Sequence, residues 1–223
     1  MRGVKGDRYG MRAMFGSAAR AFAVFGLVFG STACGDVARQ GRSPSLMVIE
    51  EMEAASGADP GTFSGFLLSD VQTLIDQEIN GATVRVPTIF NDVGQATISI
   101  VMKDQGAGGT GATPSALNAV TLNRYRVVYR RSDGRNTPGV DVPYPIDGAV
   151  TATISGPGIA VPFEIVRHQA KLEQPLRSLA NFGGRLFIST LADVTFFGAD
   201  LAGNEIQATG TISVSFSDYA DPE

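Results

Sequence analysis

The clearest pattern in the chain lies near its end, over residues 206–216. Ile206, Ala208, Ile212, Val214 and Phe216 alternate there with Gln207, Thr209, Thr211, Ser213 and Ser215. Successive side chains of an extended backbone point to opposite sides, so this period of two predicts a strand with one buried and one solvated face. Residues 96–103 repeat the pattern, with Ile98, Ile100 and Met102 opposed to Thr97, Ser99 and Lys103. Val150, Ala152 and Ile154 alternate with Thr151 and Thr153, and Val161, Phe163 and Ile165 mark a further strand. Residues 186–188 read as a short strand, and Ala192, Val194 and Phe196 oppose Asp193 and Thr195 in the next one. Residues 46–49 supply the first.

Asn80-Gly81, Asp133-Gly134 and Gly203-Asn204 fall between such runs and tolerate the positive φ of tight turns. Short alternating runs with this punctuation predict an all-β fold, an antiparallel β-sandwich over residues 46–217 with at most one or two short helices. The alternating strand–helix units of a nucleotide-binding fold are missing.

Two stretches leave alternatives open. In residues 69–79, Ser69 and Gln72 match a capping box, and Val71, Leu74, Ile75 and Ile79 share a helical face. The same residues could form one arm of a hairpin through Asn80-Gly81, pairing with Val84 and Val86. Residues 169–180 contain good helix formers, but Pro175 interrupts them, which predicts a loop with one helical turn.

Val194-Thr195-Phe196-Phe197-Gly198-Ala199-Asp200, a turn at Gly203-Asn204 and the strand to Phe216 resemble the end of bacterial immunoglobulin-like domains, where an Asp-x-x-Gly-Asn turn joins the last two strands. The resemblance covers about 25 residues and implies an immunoglobulin-like sandwich. It implies little about function, because such sandwiches serve as adhesins, spacers and binding modules alike.

The N-terminal region has a different character. Arg2, Lys5, Arg8, Arg12 and Arg20 form a positive leading segment, and residues 21–30 run uncharged as Ala-Phe-Ala-Val-Phe-Gly-Leu-Val-Phe-Gly. An apolar core of this length suits an export signal and falls short of the roughly 20 residues that span a bilayer. Met11 or Met14 could equally serve as its start. Ser31-Thr32-Ala33-Cys34-Gly35 resembles the lipobox of bacterial lipoproteins, whose cysteine receives a diacylglycerol and becomes the new N-terminus. Ser31 departs from that pattern, which usually has an aliphatic residue there. Ordinary cleavage after Ala33 would instead leave Cys34, the chain's one cysteine, as a lone exposed thiol. The resemblance implies a signal at residues 1–33, lipidation at Cys34 and a membrane-anchored, exported protein of the bacterial cell envelope. The chain as a whole is similar to uncharacterised exported lipoproteins of Gram-negative bacteria. Residues 34–45 are polar and aperiodic, as a flexible tether would be, and residues 218–223 read as an acidic tail.

Removing the signal changes the charge. The chain has 18 basic and 22 acidic residues; without the five basic and one acidic residue of 1–33, the net charge falls to about −8. Such an acidic chain disfavours nucleic acid as a partner. No disulfide can form within it, so stability has to come from a core.

Candidate chemistry is sparse. His168 is the only histidine, which excludes a histidine metal cluster, and no Gly-x-Ser-x-Gly occurs. Asp200, Asn204 and Glu205 gather oxygens at a turn without EF-hand spacing. Gly-rich residues 106–111 lack the Lys-Ser/Thr pair of a phosphate loop. No cofactor, metal or catalytic set is expected. The one basic cluster is Arg124, Arg126, Arg130, Arg131 and Arg135. Arg124, Arg126 and Arg130 share strand parity, with Tyr125, Val127 and Tyr129 opposite, and offer either a solvated face balanced by nearby acids or an anion- or glycan-binding face. Because Val120 and Leu122 are also apolar, parity switches near Asn123, as a β-bulge or a later strand start would require. A non-enzymatic structural or interaction role, with an envelope protein or glycan as partner, follows from these readings.

Overall fold

The computed structural model describes residues 42–104 and 113–219; the signal, Cys34 and the Gly-rich residues 106–111 lie outside them. The described chain is built on strands. Three of them, β1 (Ser45–Ala55), β5 (Asp92–Met102) and β8 (Ile159–Val166), form an antiparallel sheet in the order β1-β5-β8. Five more, β2 (Phe66–Asp70), β6 (Val120–Arg130), β7 (Ile146–Ile154), β9 (Phe187–Asp200) and β10 (Glu205–Ser217), form a second sheet in the order β2-β10-β9-β6-β7. All its pairs are antiparallel except β2 with β10, which is parallel. A separate hairpin pairs β3 (Thr73–Ile79) with β4 (Ala82–Thr88).

The alternation read from the sequence places the core. Ile212, Val214 and Phe216 of β10 are buried beside Val194 and Phe196 of β9, while Ile98 and Ile100 of β5 and Val161 and Ile165 of β8 come from the other sheet into the same cluster. Aromatic rings join the two sheets. Tyr125 of β6 lies 5.5 Å from Phe163 of β8, and Phe163 meets Phe196 edge-on at 5.4 Å. Hydrogen bonds follow the same route: the Glu164 amide donates to the Tyr125 hydroxyl at 3.2 Å, and the Tyr129 hydroxyl donates to the Ile165 carbonyl. Burial pushes the Tyr129 phenol well above its usual range, so it remains a neutral donor.

The open alternatives are decided by turn chemistry and packing. Residues 73–88 form the hairpin, because Asn80 (φ 56°) and Gly81 (φ 79°) both adopt the positive φ of a two-residue type I′ turn. Counting back from that turn, the Leu74–Pro87 pair falls at a position without ladder hydrogen bonds, where the missing proline N–H costs nothing. Residues 187–188 and 192–196 are parts of one long strand, β9, rather than two, with Leu186 just before it, and β1 extends six residues beyond the expected 46–49. Residues 169–180 contain a one-turn helix, α1 (His168–Leu172), and a 3-10 turn at Leu176–Leu179. The expected tether and tail are partly built into the body: Ser43 and Ser45 are buried at one end, Asp218 at the other.

Helix α1 is fastened by a charge pair in the core. Lys171 Nζ lies 2.8 Å from Asp92 Oδ1, with the two side chains 1% and 0% exposed. Asp92 also accepts from the Gly57 amide at 2.8 Å and the Ser69 hydroxyl at 2.6 Å. Breaking such a pair strands a buried charge, which costs about 3–5 kcal/mol. Lys171→Met is therefore expected to lower unfolding free energy by about that amount in urea titration. Adding Asp92→Asn should recover part of the loss, since asparagine can still bond Gly57 and Ser69 without carrying charge.

Candidate functional site

The arginine strand is set by a bulge. On β9, Leu122 pairs with Gly198 and Arg124 with Phe197, leaving Asn123 as an extra residue. Gly198 is required opposite it, because a Cβ there would sit 2.6 Å from the Thr121 carbonyl oxygen. The extra residue flips parity. Val120 and Leu122 point into the core before the bulge and Tyr125, Val127 and Tyr129 after it, so Arg124, Arg126 and Arg130 all face solvent.

On that outer face every arginine meets a carboxylate. Asp147 of β7 lies 3.8 Å from Arg124 and 3.5 Å from Arg126. Asp193 of β9 accepts two hydrogen bonds from Arg130 and a third from the Thr211 hydroxyl at 2.7 Å. The Arg124 guanidinium also stacks over Phe197, 4.1 Å from the ring centre, a favourable cation–π distance. Thr195 and Thr209 hydrogen-bond across the β9–β10 pair at 2.8 Å. Arg131 and Arg135 lie away from this face and share Asp133 in the turn after β6. Three guanidiniums thus face two carboxylates, with one surplus positive charge where Arg124 and Arg126 share Asp147.

A concave region adjoins the face, and the sequence reading missed it. Tyr144, exposed between Pro143 and Pro145, walls two shallow depressions of about 330 and 490 Å³. Arg167, Gln169 and Glu173 border the first; Gln174, Leu172 and Arg177 border the second. The ring lies on Gly139 (φ 76°), where a Cβ would be 2.4 Å from it. Arg167 links this region to the arginine face by donating to the Asp147 carbonyl at 2.8 Å. The Pro-Tyr-Pro run was the available signal, but only tertiary folding brings Arg167 and Arg177 beside it.

The other candidates have structural partners. His168 is exposed, and Asn91 Oδ1 lies 2.9 Å from its Nδ1. Asp200 accepts from the Ala202 and Asn204 amides and from Asn204 Nδ2, which is the hydrogen bonding of a turn. Among the described residues no three His, Cys, Asp or Glu side chains converge as metal ligands.

Hydrogen bonds from Arg130 hold the Asp193 carboxyl below its usual range, against the opposing effect of partial burial, with Thr211 assisting. A carboxylate depressed by folding stabilises the protein above its unfolded pKa of about 3.9 and loses that contribution as pH falls through the folded value. Asp193→Asn is expected to cost about 0.5–1 kcal/mol at pH 7, as a partly exposed pair does, and progressively less as pH falls through the carboxyl's folded value. Urea unfolding over a series of pH values from 7 downward checks this. Comparison with known proteins supplies no relative: no family model, no curated protein and no solved structure matches the chain.

Proposed function

We propose that the chain is an exported bacterial lipoprotein, anchored through Cys34, whose body is an immunoglobulin-like β-sandwich acting as a non-enzymatic interaction or structural module of the cell envelope. The observation that carries the reading is the position of Cys34, directly behind a basic segment, a ten-residue apolar run and the small residues Thr32 and Ala33. Two or three acyl chains on that residue would anchor stably where one would not. The sandwich reading is supported by the single core to which both larger sheets contribute. The Asp-x-x-Gly-Asn turn between β9 and β10, closed by the Asp200–Asn204 hydrogen bonds, adds to it.

A second reading, a carbohydrate- or anion-binding accessory lipoprotein, is favoured by one observation. Asp147 serves both Arg124 and Arg126, leaving local positive charge on an otherwise acidic protein.

Intact mass of the membrane-extracted protein is expected to equal Cys34 to Glu223 plus acyl groups, and Cys34→Ser should release the protein in unmodified form. A soluble, unacylated parent would defeat the anchor. On an array of acidic glycans, the parent and the Arg124→Ala/Arg126→Ala/Arg130→Ala variant are expected to behave alike. Binding that the triple variant loses would instead establish the accessory role.

A further inference from the structure

Buried carboxylates need a hydrogen-bond donor or counter-charge for each oxygen, and one pair in this protein is short of both. Asp70 ends β2 and Asp218 follows β10; they are 9% and 2% exposed. The parallel ladder sets Ser217 opposite Asp70, the Val71 amide donates to the Ser217 carbonyl at 2.9 Å, and the Tyr219 amide donates to Asp70 Oδ1 at 3.1 Å. Asp218 is thus bracketed by two residues that both contact the Asp70 segment. The carboxylates feel each other, and the repulsion adds to burial in raising the Asp70 pKa.

Their hydrogen bonding is unequal. Asp70 accepts from the Thr73 hydroxyl at 2.8 Å, from the Tyr219 amide and, at 3.4 Å, from the Gln72 amide. Asp218 Oδ2 has only a long contact from the Gly183 amide at 3.4 Å, and Asp218 Oδ1 is buried with no donor at all. It is the one such side-chain atom among the described residues. Arg185, the basic residue of the covering turn, is exposed. Contrast Asp92, whose buried charge is met by Lys171.

We infer that Asp70 and Asp218 together bind a calcium ion, with Asp218 Oδ1 as a direct ligand. An unsatisfied buried carboxylate beside a second carboxylate is the arrangement a hard cation resolves, since the ion supplies the missing charge to both. The side chains on hand offer oxygen, from two carboxylates and the Thr73 hydroxyl, so the site suits calcium rather than zinc or copper. The turn that covers Asp218 has Asn181 (φ 65°), Gly183 (φ 54°) and Gly184 (φ 75°) in left-handed conformations, and it is exposed, which gives an ion a route in. Two carboxylates with water completing the shell make a weak site, with a dissociation constant of about 10⁻⁴–10⁻³ M. Its effect is to staple the end of β10 to β2.

The test is thermal unfolding of the exported chain with 10 mM calcium, with magnesium at equal ionic strength, and with chelator. Calcium is expected to raise the midpoint by about 2–5 °C, reversibly and more than magnesium does. Asp218→Asn should remove the calcium response and leave the midpoint in chelator equal or higher, because it deletes the repulsion without changing shape. Terbium luminescence excited through Tyr219 provides a readout that does not depend on the variant folding. It should appear in the parent and be displaced by calcium. Equal responses to calcium and magnesium, a calcium response that persists in Asp218→Asn, or absence of terbium luminescence would each overturn the inference. So would stabilisation by acid alone, which would mean that the pair shares a proton instead.

Discussion

One extra residue in β6 governs what this protein shows to solvent. An eleven-residue strand in strict alternation would bury either Val120 and Leu122, taking the arginines in with them and leaving Tyr125, Val127 and Tyr129 in water, or Tyr125, Val127 and Tyr129, leaving Val120 and Leu122 in water. Asn123 breaks the alternation once, so both apolar sets enter the core and Arg124, Arg126 and Arg130 leave it. The neighbouring strands adjust to it: β9 places Gly198 where a side chain would strike the β6 backbone. The aromatic contacts of Tyr125 with Phe163 across the sheets and of Tyr129 with Phe216 within the larger sheet follow from the same shift.

Away from the bulge, the fold depends on how buried charge is met. Asp92 sits at the start of β5 with three donors, one of them the Lys171 ammonium, and this joins a short helix, a loop and both larger sheets at one point. Asp70 and Asp218 present the same problem with the opposite balance, two carboxylates and no ammonium. With no disulfide possible, such polar junctions and the apolar core are the means by which loops and chain ends are held to the strands.

The candidate surfaces follow from this division. The five-stranded sheet presents an array of arginine, aspartate and threonine, and the segments before β7 and after β8 add relief around Tyr144. A lipid-tethered domain would hold such a face at a membrane surface, where even modest affinity gains from local concentration.

Strands with one wet face were legible from the residues alone. In β5, β6 and β10 alternation marks the inward set, and even the bulge at Asn123 left its trace as a change of parity. Hairpin β3–β4 was ambiguous because its apolar residues satisfy both periods, and the turn at Asn80-Gly81 decided it. Strand β2 was not recognised, since a five-residue edge strand paired in parallel carries too short a pattern. Nothing local marks Lys171 as buried or Asp218 as unpartnered, and both look like ordinary surface charges in the chain. Periodicity reports only which way neighbouring side chains point. Whether a charge meets its partner depends on residues distant in the chain, 79 apart for Lys171 and Asp92, and only folding brings them together.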